Sequence, residues 1–202
     1  MKTIKIVYLL ILTGTIMKNN AQKFPKAKER KGLQIGAVAP KFEALNQDST
    51  LFNLEQELKN GPVVMIFYRG FWCPICNKHI KTLQENLKEI EAKGATVIAV
   101  SPEKPEYLDT MADKTGATFT LLYDEDYKIA DAYEVSFRPD STTLVIYNTV
   151  LGAKLKQTHS DDTQRLPIPA TYIIGTDGLI KWRHFDPDYK KRSTIEDILN
   201  NL

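Results

Sequence analysis

The chain has two cysteines, and both lie in the run Arg69-Gly70-Phe71-Trp72-Cys73-Pro74-Ile75-Cys76, between a hydrophobic strand and an amphipathic helix. Upstream, Val63-Val64-Met65-Ile66-Phe67-Tyr68 is an unalternating apolar run behind a Gly61-Pro62 break. Such a run reads as a strand buried on both faces of a sheet. Downstream, Cys76, His79, Ile80, Leu83, Leu87 and Ile90 recur at helical spacing, and Gly94 closes the pattern. Lys78, Lys81, Glu85, Lys88 and Glu89 mostly take the other faces. The spacing predicts one amphipathic helix from Pro74 to Gly94.

Cys73 therefore falls at a strand-to-helix junction. Pro74 suits the first helical position, where its missing N–H is no loss. A thiolate at Cys73 would face unpaired backbone N–H groups and the positive end of the helix dipole. Both favour the charged form, so the expectation is an exposed Cys73 nucleophile, more acidic than a free cysteine. Cys76, one turn on, is expected to be more buried, less acidic and placed to attack an oxidised Cys73. Two other uses of the pair are weaker. Tetrahedral zinc needs four ligands, and the chain has no second CxxC; His79 would add only a third. A purely structural disulfide closing so small a loop adds little stability under the loop-entropy argument.

Compartment decides what such a dithiol can do. Met1-Lys2-Thr3-Ile4-Lys5 is basic, Ile6 to Leu12 is apolar, and Ala21 offers a small residue near a cleavage point. Residues 1–21 thus read as a secretory signal peptide; the alternative is an uncleaved membrane anchor, for which the apolar stretch is too short and interrupted to span a bilayer comfortably. The mature protein is expected in the periplasm or outside the cell, free of the membrane, where a dithiol needs a dedicated electron supply. The lysine- and arginine-rich stretch 22–32 reads as a solvated linker. About 180 residues then remain, enough for one domain with its own core. With 27 basic and 25 acidic residues and a net charge of +2, nothing points to nucleic acid.

The rest of the chain reads as alternating elements. Residues 36–45 and 50–54 around Asn46-Gln47-Asp48-Ser49 predict a β-hairpin. Thr96 to Val100 is a second buried strand, 105–115 a helix closed by Gly116, 119–123 a strand and 126–133 a short helix. Two apolar runs, 168–174 and 179–182, flank a turn containing Asp177-Gly178 and predict a second hairpin. Ser193-Thr194-Ile195-Glu196 has the form of a capping box opening a C-terminal helix. This order predicts an α/β fold with a mixed central sheet flanked by helices.

A strand, Trp-Cys-x-x-Cys, a helix, and a proline ahead of a hairpin resemble the thioredoxin-like three-layer sandwich. More narrowly, the blocks Ile35 to Phe42, Phe67 to Cys76 and Val97 to Pro102 resemble the alkyl hydroperoxide reductase/thiol-specific antioxidant family, the peroxiredoxins and their relatives, over residues 33–202. The resemblance implies that Cys73 is the peroxidatic cysteine and Cys76 the resolving one. It further implies a hydroperoxide substrate, a thioredoxin-like or other thiol reductant, and no metal or organic cofactor. It also implies a cis Ile168-Pro169 step beside the cysteines.

The departures from the family pattern are specific. Peroxiredoxins carry Pro-x-x-x-Thr-x-x-Cys; here Ile66 stands for that proline and Gly70 for that threonine. Pro169 stands where many of them have an activating arginine. Peroxide cleavage needs donors for the charge that develops on oxygen. Arg69 is the nearest substitute, with Arg165 and Arg183 more remote. Trp72, Phe71 and Phe67 are expected to wall the thiolate. Residues 135–166, roughly thirty, exceed an ordinary loop and are expected to have structure of their own, as a lid, a partner surface or a helix pair. The leading expectation is an exported peroxiredoxin-like thiol antioxidant. The rivals are an exported thiol–disulfide oxidoreductase acting on proteins, and a thioredoxin-fold binding module whose cysteines are incidental.

Overall fold

The computed structural model of the protein describes residues 24–202; the expected signal peptide lies outside them. A two-stranded hairpin, β1 (Glu43–Leu45) with β2 (Leu51–Asn53), leads into the short helix α1 (Leu54–Glu57). The first core strand is β3 (Val63–Phe67), followed by α2 (Pro74–Glu85), α3 (Leu87–Ala92), β4 (Thr96–Ser101), α4 (Pro105–Thr115) and β5 (Thr120–Tyr123). Then come α5 (Lys128–Ala132), β6 (Ser136–Phe137), α6 (Ser141–Thr149), α7 (Leu155–Thr158) and β7 (Leu166–Pro167). The hairpin β8 (Thr171–Ile174) and β9 (Ile180–His184) precedes the last helix, α8 (Ile195–Asn200).

The central sheet has the order β5-β4-β3-β8-β9, with β3, β4 and β5 parallel and β8 and β9 antiparallel to their neighbours. All five residues of β3 are buried, as an unalternating apolar run requires at the middle of a covered sheet. Val64, Ile66 and Tyr68 point to one face, where they meet Ile80 and Leu83 of α2, Leu108 and Met111 of α4 and Ile198 of α8. Val63, Met65 and Phe67 point to the other, against Leu54, Ile129, Tyr133 and Tyr172. The period-two alternation of the strand thus builds two cores, and the fold is a mixed sheet between helical layers.

Three local readings change. The single helix expected from Pro74 to Gly94 is interrupted at Asn86, whose backbone leaves the helical region while its amide donates to Thr82 O at 2.8 Å. A side-chain amide that competes for backbone carbonyls breaks a helix without disturbing its apolar spacing. The stretch expected as a solvated linker is packed from residue 24 onward. Phe24 lies over the Arg165 guanidinium, Arg30 donates to Ser136 O, and Arg183 donates to Lys31 O and Leu33 O.

At the C-terminus the capping box is one residue later than its sequence form. Thr194 Oγ1 accepts from Asp197 N at 3.0 Å and Asp197 Oδ2 accepts from Thr194 N at 3.1 Å. Ser193 is diverted into a buried chain of hydroxyls, sharing hydrogen bonds with Thr171 at 2.9 Å and His79 at 3.3 Å. Thr194→Ala is expected to cost about 1 kcal/mol in a urea melt, the usual loss for an N-cap hydroxyl.

Candidate active site

Cys73 is the N-cap of α2. Its extended backbone leaves the first turn's N–H groups free, and its Sγ accepts from Cys76 N at 3.3 Å. Pro74 occupies the first helical position, where nothing is lost. One turn on, Cys76 Sγ lies 2.7 Å from Cys73 Sγ, with both cysteines free thiols. The expected exposure of Cys73 is not found: both residues have no accessible surface. Trp72, Arg69 and aromatic side chains from two distant segments close over them.

Arg69 dominates this cover. It is the second residue after β3, only 2% exposed, and its Nη2 donates to Cys73 Sγ at 2.9 Å. Its Nη1 donates to Tyr147 Oη at 2.8 Å. The guanidinium sits 3.8 Å from the ring centre of Tyr189 and 5.1 Å from those of Trp72 and Tyr147. Aromatic faces attract a cation that has lost its water, so three rings and a sulfur replace its hydration. Burial works against the charge, yet the negative character of Cys73, Cys76 and Tyr147 holds Arg69 still further above its ordinary value.

A second arginine reaches the pair from the other side. Arg192 Nη2 lies 3.4 Å from Cys76 Sγ, and Arg192 Nε donates to Tyr189 O at 2.8 Å. The thiols respond as a coupled pair. The hydrogen bond shared with Cys76, followed by burial, pushes Cys73 up against the pull of Arg69. Burial also raises Cys76, but the hydrogen bond from Cys73 and the charges of Arg192 and Arg69 outweigh it and leave that thiol well below the ordinary range. The two thiols are coupled and titrate as a unit. The sequence predicts the acidity at Cys73; the shifts run the other way, with Cys73 raised by its hydrogen bond to Cys76 and by burial, and Cys76 lowered by that bond and by the charges of Arg192 and Arg69.

A dithiol at a strand-to-helix junction of such a sheet is now joined by the outcome of comparison with known proteins. The profile of the AhpC/TSA family matches residues 35–183. The chain belongs to the AhpC/TSA family. Among curated relatives, Peroxiredoxin Bcp of Escherichia coli (strain K12) is 34% identical over 103 residues, 51% of this chain and 65% of that protein. The chain thus spans less than two thirds of that relative's length. The thiol-disulfide oxidoreductase ResA of Bacillus thuringiensis (strain Al Hakam) is 28% identical over 158 residues, 76% of this chain and 89% of that protein. The solved structure of Peroxidoxin BcpB from Mycobacterium tuberculosis superposes with a TM-score of 0.64 at 20% identity, covering 84% of this chain and 96% of that one, which establishes a shared fold.

The structure explains one departure from the family pattern. Gly70 has φ of +149°, and a Cβ built there would collide with Glu103 Oε1 and Trp72 Nε1. No threonine fits at this position, and the space it would need is taken by the Glu103 carboxyl. That side chain is fully buried, and its Oε2 accepts from Phe71 N at 2.9 Å, pinning the loop before Cys73. Burial pushes the carboxyl well above the usual range. Gly70→Thr is expected to cost about 3 kcal/mol or more in denaturant unfolding, from backbone strain and overpacking together.

Other expected residues fall elsewhere. Among the described residues no peptide bond is cis, so Ile168-Pro169 is trans, contrary to the expectation. Its neighbours explain this: Ile168 N donates to Val135 O and Ala170 O accepts from Phe67 N, both at 2.8 Å, holding the segment extended into β8. Trans is also the ordinary form of an X-Pro bond. Phe67 lies in the opposite core, edge-on to Tyr172, and does not wall the sulfurs. Phe71 stacks on Tyr107. Arg165 is bound to Asp131 and Asp161, and Arg183 to backbone carbonyls of the N-terminal segment, so neither serves the dithiol. His79, driven down to about 4 by burial and the charge of Arg192, bonds Ser193.

Sequence reasoning missed Tyr147, Tyr189, Arg192 and Glu103. Tyr147 comes from α6, part of the helix pair that α6 and α7 form within the 135–166 insertion. Its signal was the apolar run Leu144-Val145-Ile146-Tyr147, which marked structure without saying where it would dock. The other three stand in polar stretches with no periodicity to betray their burial.

Proposed function

We propose that the protein is an exported thiol peroxidase, reducing hydrogen peroxide and organic hydroperoxides through Cys73 as peroxidatic and Cys76 as resolving cysteine. The observation that carries this reading is the Arg69 guanidinium 2.9 Å from Cys73 Sγ, with the second thiol 2.7 Å away, in a pocket closed by aromatic rings. A cation held there favours a thiolate nucleophile and has further N–H groups for the oxygen on which charge develops. The Cys73 thiolate attacks the near peroxide oxygen, the O–O bond breaks, and the departing hydroxide or alkoxide takes up a proton to leave as water or alcohol. Cys73 is then a sulfenic acid, and Cys76 displaces its hydroxyl as water to form the disulfide. A thioredoxin-like protein or another thiol supplies two electrons to restore the pair. No metal or organic cofactor is needed for either step.

A second reading, a protein thiol–disulfide oxidoreductase, is favoured by the resemblance to ResA over 76% of this chain. The burial of both sulfurs weighs against it, since a protein disulfide is far larger than a peroxide and would need the aromatic cover moved. Stopped-flow oxidation of the reduced protein by hydrogen peroxide, run beside exchange with a protein disulfide, separates the two. The peroxidase reading expects peroxide to react faster than with a simple dithiol, and Cys76→Ser to accumulate a sulfenic acid at Cys73. Peroxide turnover below that of dithiothreitol, with Cys76→Ser instead trapping protein partners as mixed disulfides, would overturn it in favour of the second.

A further inference from the structure

We propose that Arg192 is a catalytic residue for the second half of the turnover, holding Cys76 as the thiolate that closes the disulfide. This rests on the peroxidase reading above and adds a division of labour to it: Arg69 serves Cys73, and Arg192 serves Cys76. The two guanidiniums approach from opposite ends of the chain. Arg69 adjoins β3, whereas Arg192 lies between β9 and α8 and touches Cys76 Sγ across 116 residues of sequence.

The placement of Arg192 is built. Its Nε is tied to Tyr189 O at 2.8 Å, and the next residue, Ser193, is anchored to both β8 and α2 through Thr171 and His79. Its Nη1 is buried with no protein partner, and among the described residues no carboxylate pairs with it. Arg192 is half-buried, and a guanidinium so placed, with a sulfur and no carboxylate as its anionic neighbour, is matched to that sulfur.

The need for it appears once Cys73 is oxidised. In the reduced pair, the hydrogen bond shared with Cys73 helps to hold Cys76 low. Oxidation to Cys73–SOH ends that arrangement. Cys76 must still be a thiolate to attack, because the thiolate is the nucleophile. In the attack the Cys76 lone pair forms the S–S bond, the S–O bond of Cys73 breaks, and the leaving hydroxide takes the proton that Cys76 gave up, to become water.

Apart from the two arginines, the groups facing Cys76 supply no positive charge near neutral pH. Tyr68, beside Arg69, and the Glu103 carboxyl, after β4, are both pushed up by burial; His79, on α2, is uncharged above about 4. Arg69 remains engaged with Cys73 and Tyr147. Arg192 is the cation whose guanidinium contacts Cys76 Sγ directly.

The test uses the Cys73→Ser protein, which removes the coupled partner, and measures the pH at which Cys76 gains half its maximal rate of alkylation by iodoacetamide. Adding Arg192→Gln is expected to raise that midpoint by about one pH unit or more, as loss of a neighbouring opposite charge does, cutting the thiolate near neutral pH roughly tenfold. Arg192→Lys, which keeps the charge, is expected to recover at least half of the shift. Arg192→Met, which keeps the packing of the stem, repeats the measurement if the glutamine variant does not fold.

With both cysteines present, Arg192→Gln is expected to slow disulfide closure after a single addition of peroxide more than it slows sulfenic acid formation. A midpoint unmoved in the glutamine and methionine variants overturns the proposal. A midpoint that moves in a protein that consumes no peroxide keeps the hold of Arg192 on Cys76 and removes the peroxidase reading instead.

Discussion

Arg69→Met is expected to slow oxidation of the reduced protein by hydrogen peroxide by about 100- to 1,000-fold, the usual loss when one preorganised donor to a developing oxyanion is removed. Two effects combine. The Cys73 sulfur loses a charge-assisted hydrogen bond, of the kind worth ~1.5–3 kcal/mol, so less of it is anionic near neutral pH. The peroxide loses the remaining N–H donors of the same fork. Arg69→Lys keeps the charge but has no planar fork with which to reach Cys73 and Tyr147 together, so an intermediate loss of roughly tenfold is expected. Stopped-flow fluorescence suits the measurement, because Trp72 packs against the same guanidinium. A methionine variant reacting within threefold of the native protein would show that Arg69 is a structural filler.

The second large effect is on stability. Oxidation to the disulfide removes the anion and strands Arg192 and Arg69 without a counter-charge. The difference in melting temperature between reduced and oxidised protein is therefore expected to follow pH. For the acidic member of the pair, the folded value lies below the unfolded one. Its contribution is complete above the unfolded thiol value of about 8.5 and is lost as pH falls toward the folded value. For the other member the folded value is raised, so its contribution is complete below about 8.5 and is lost as pH rises beyond it.

The reduced form should accordingly gain on the oxidised form with rising pH, peak near pH 8.5 and decline above it. Each pH unit of the rise is worth about 1.4 kcal/mol, so two units correspond to roughly 5–10 °C for a domain of this size. His79, shifted by burial and Arg192 and not by the sulfurs, titrates in both redox forms and cancels in the difference. Arg69→Met should flatten the rise, and thermal scans in paired reducing and oxidising buffers between pH 5 and 10 would read it. A difference independent of pH would mean that the pair holds no thiolate in the folded protein.

Much of the architecture was legible before any coordinates. The apolar run at Val63, the three-and-four spacing after Cys73, the β4 run and the Asp177-Gly178 turn each carry a local signal that the fold obeys, because burial on a strand or helix leaves a period in the chain. The misreadings were local competitions that a period does not record. Asn86 breaks a helix whose apolar spacing runs on unchanged, and Ser193 gives up the cap to Thr194 because Thr171 and His79 offer it buried partners. Pro169 was expected cis by analogy, and its neighbours' hydrogen bonds hold it trans.

By itself the sequence determined where the dithiol is presented: a CxxC with proline at the first helical position, after a fully apolar strand, can only fold with Cys73 at the helix tip and Cys76 a turn behind. Only the tertiary structure decided what charges those sulfurs meet. Tyr147 holds Arg69 in place from 78 residues away, and Arg192 reaches Cys76 across 116. Periodicity reports which face of an element is buried. The charge state of a thiol depends on cations brought within a few ångströms in a region of low dielectric, and no pattern along the chain encodes that distance.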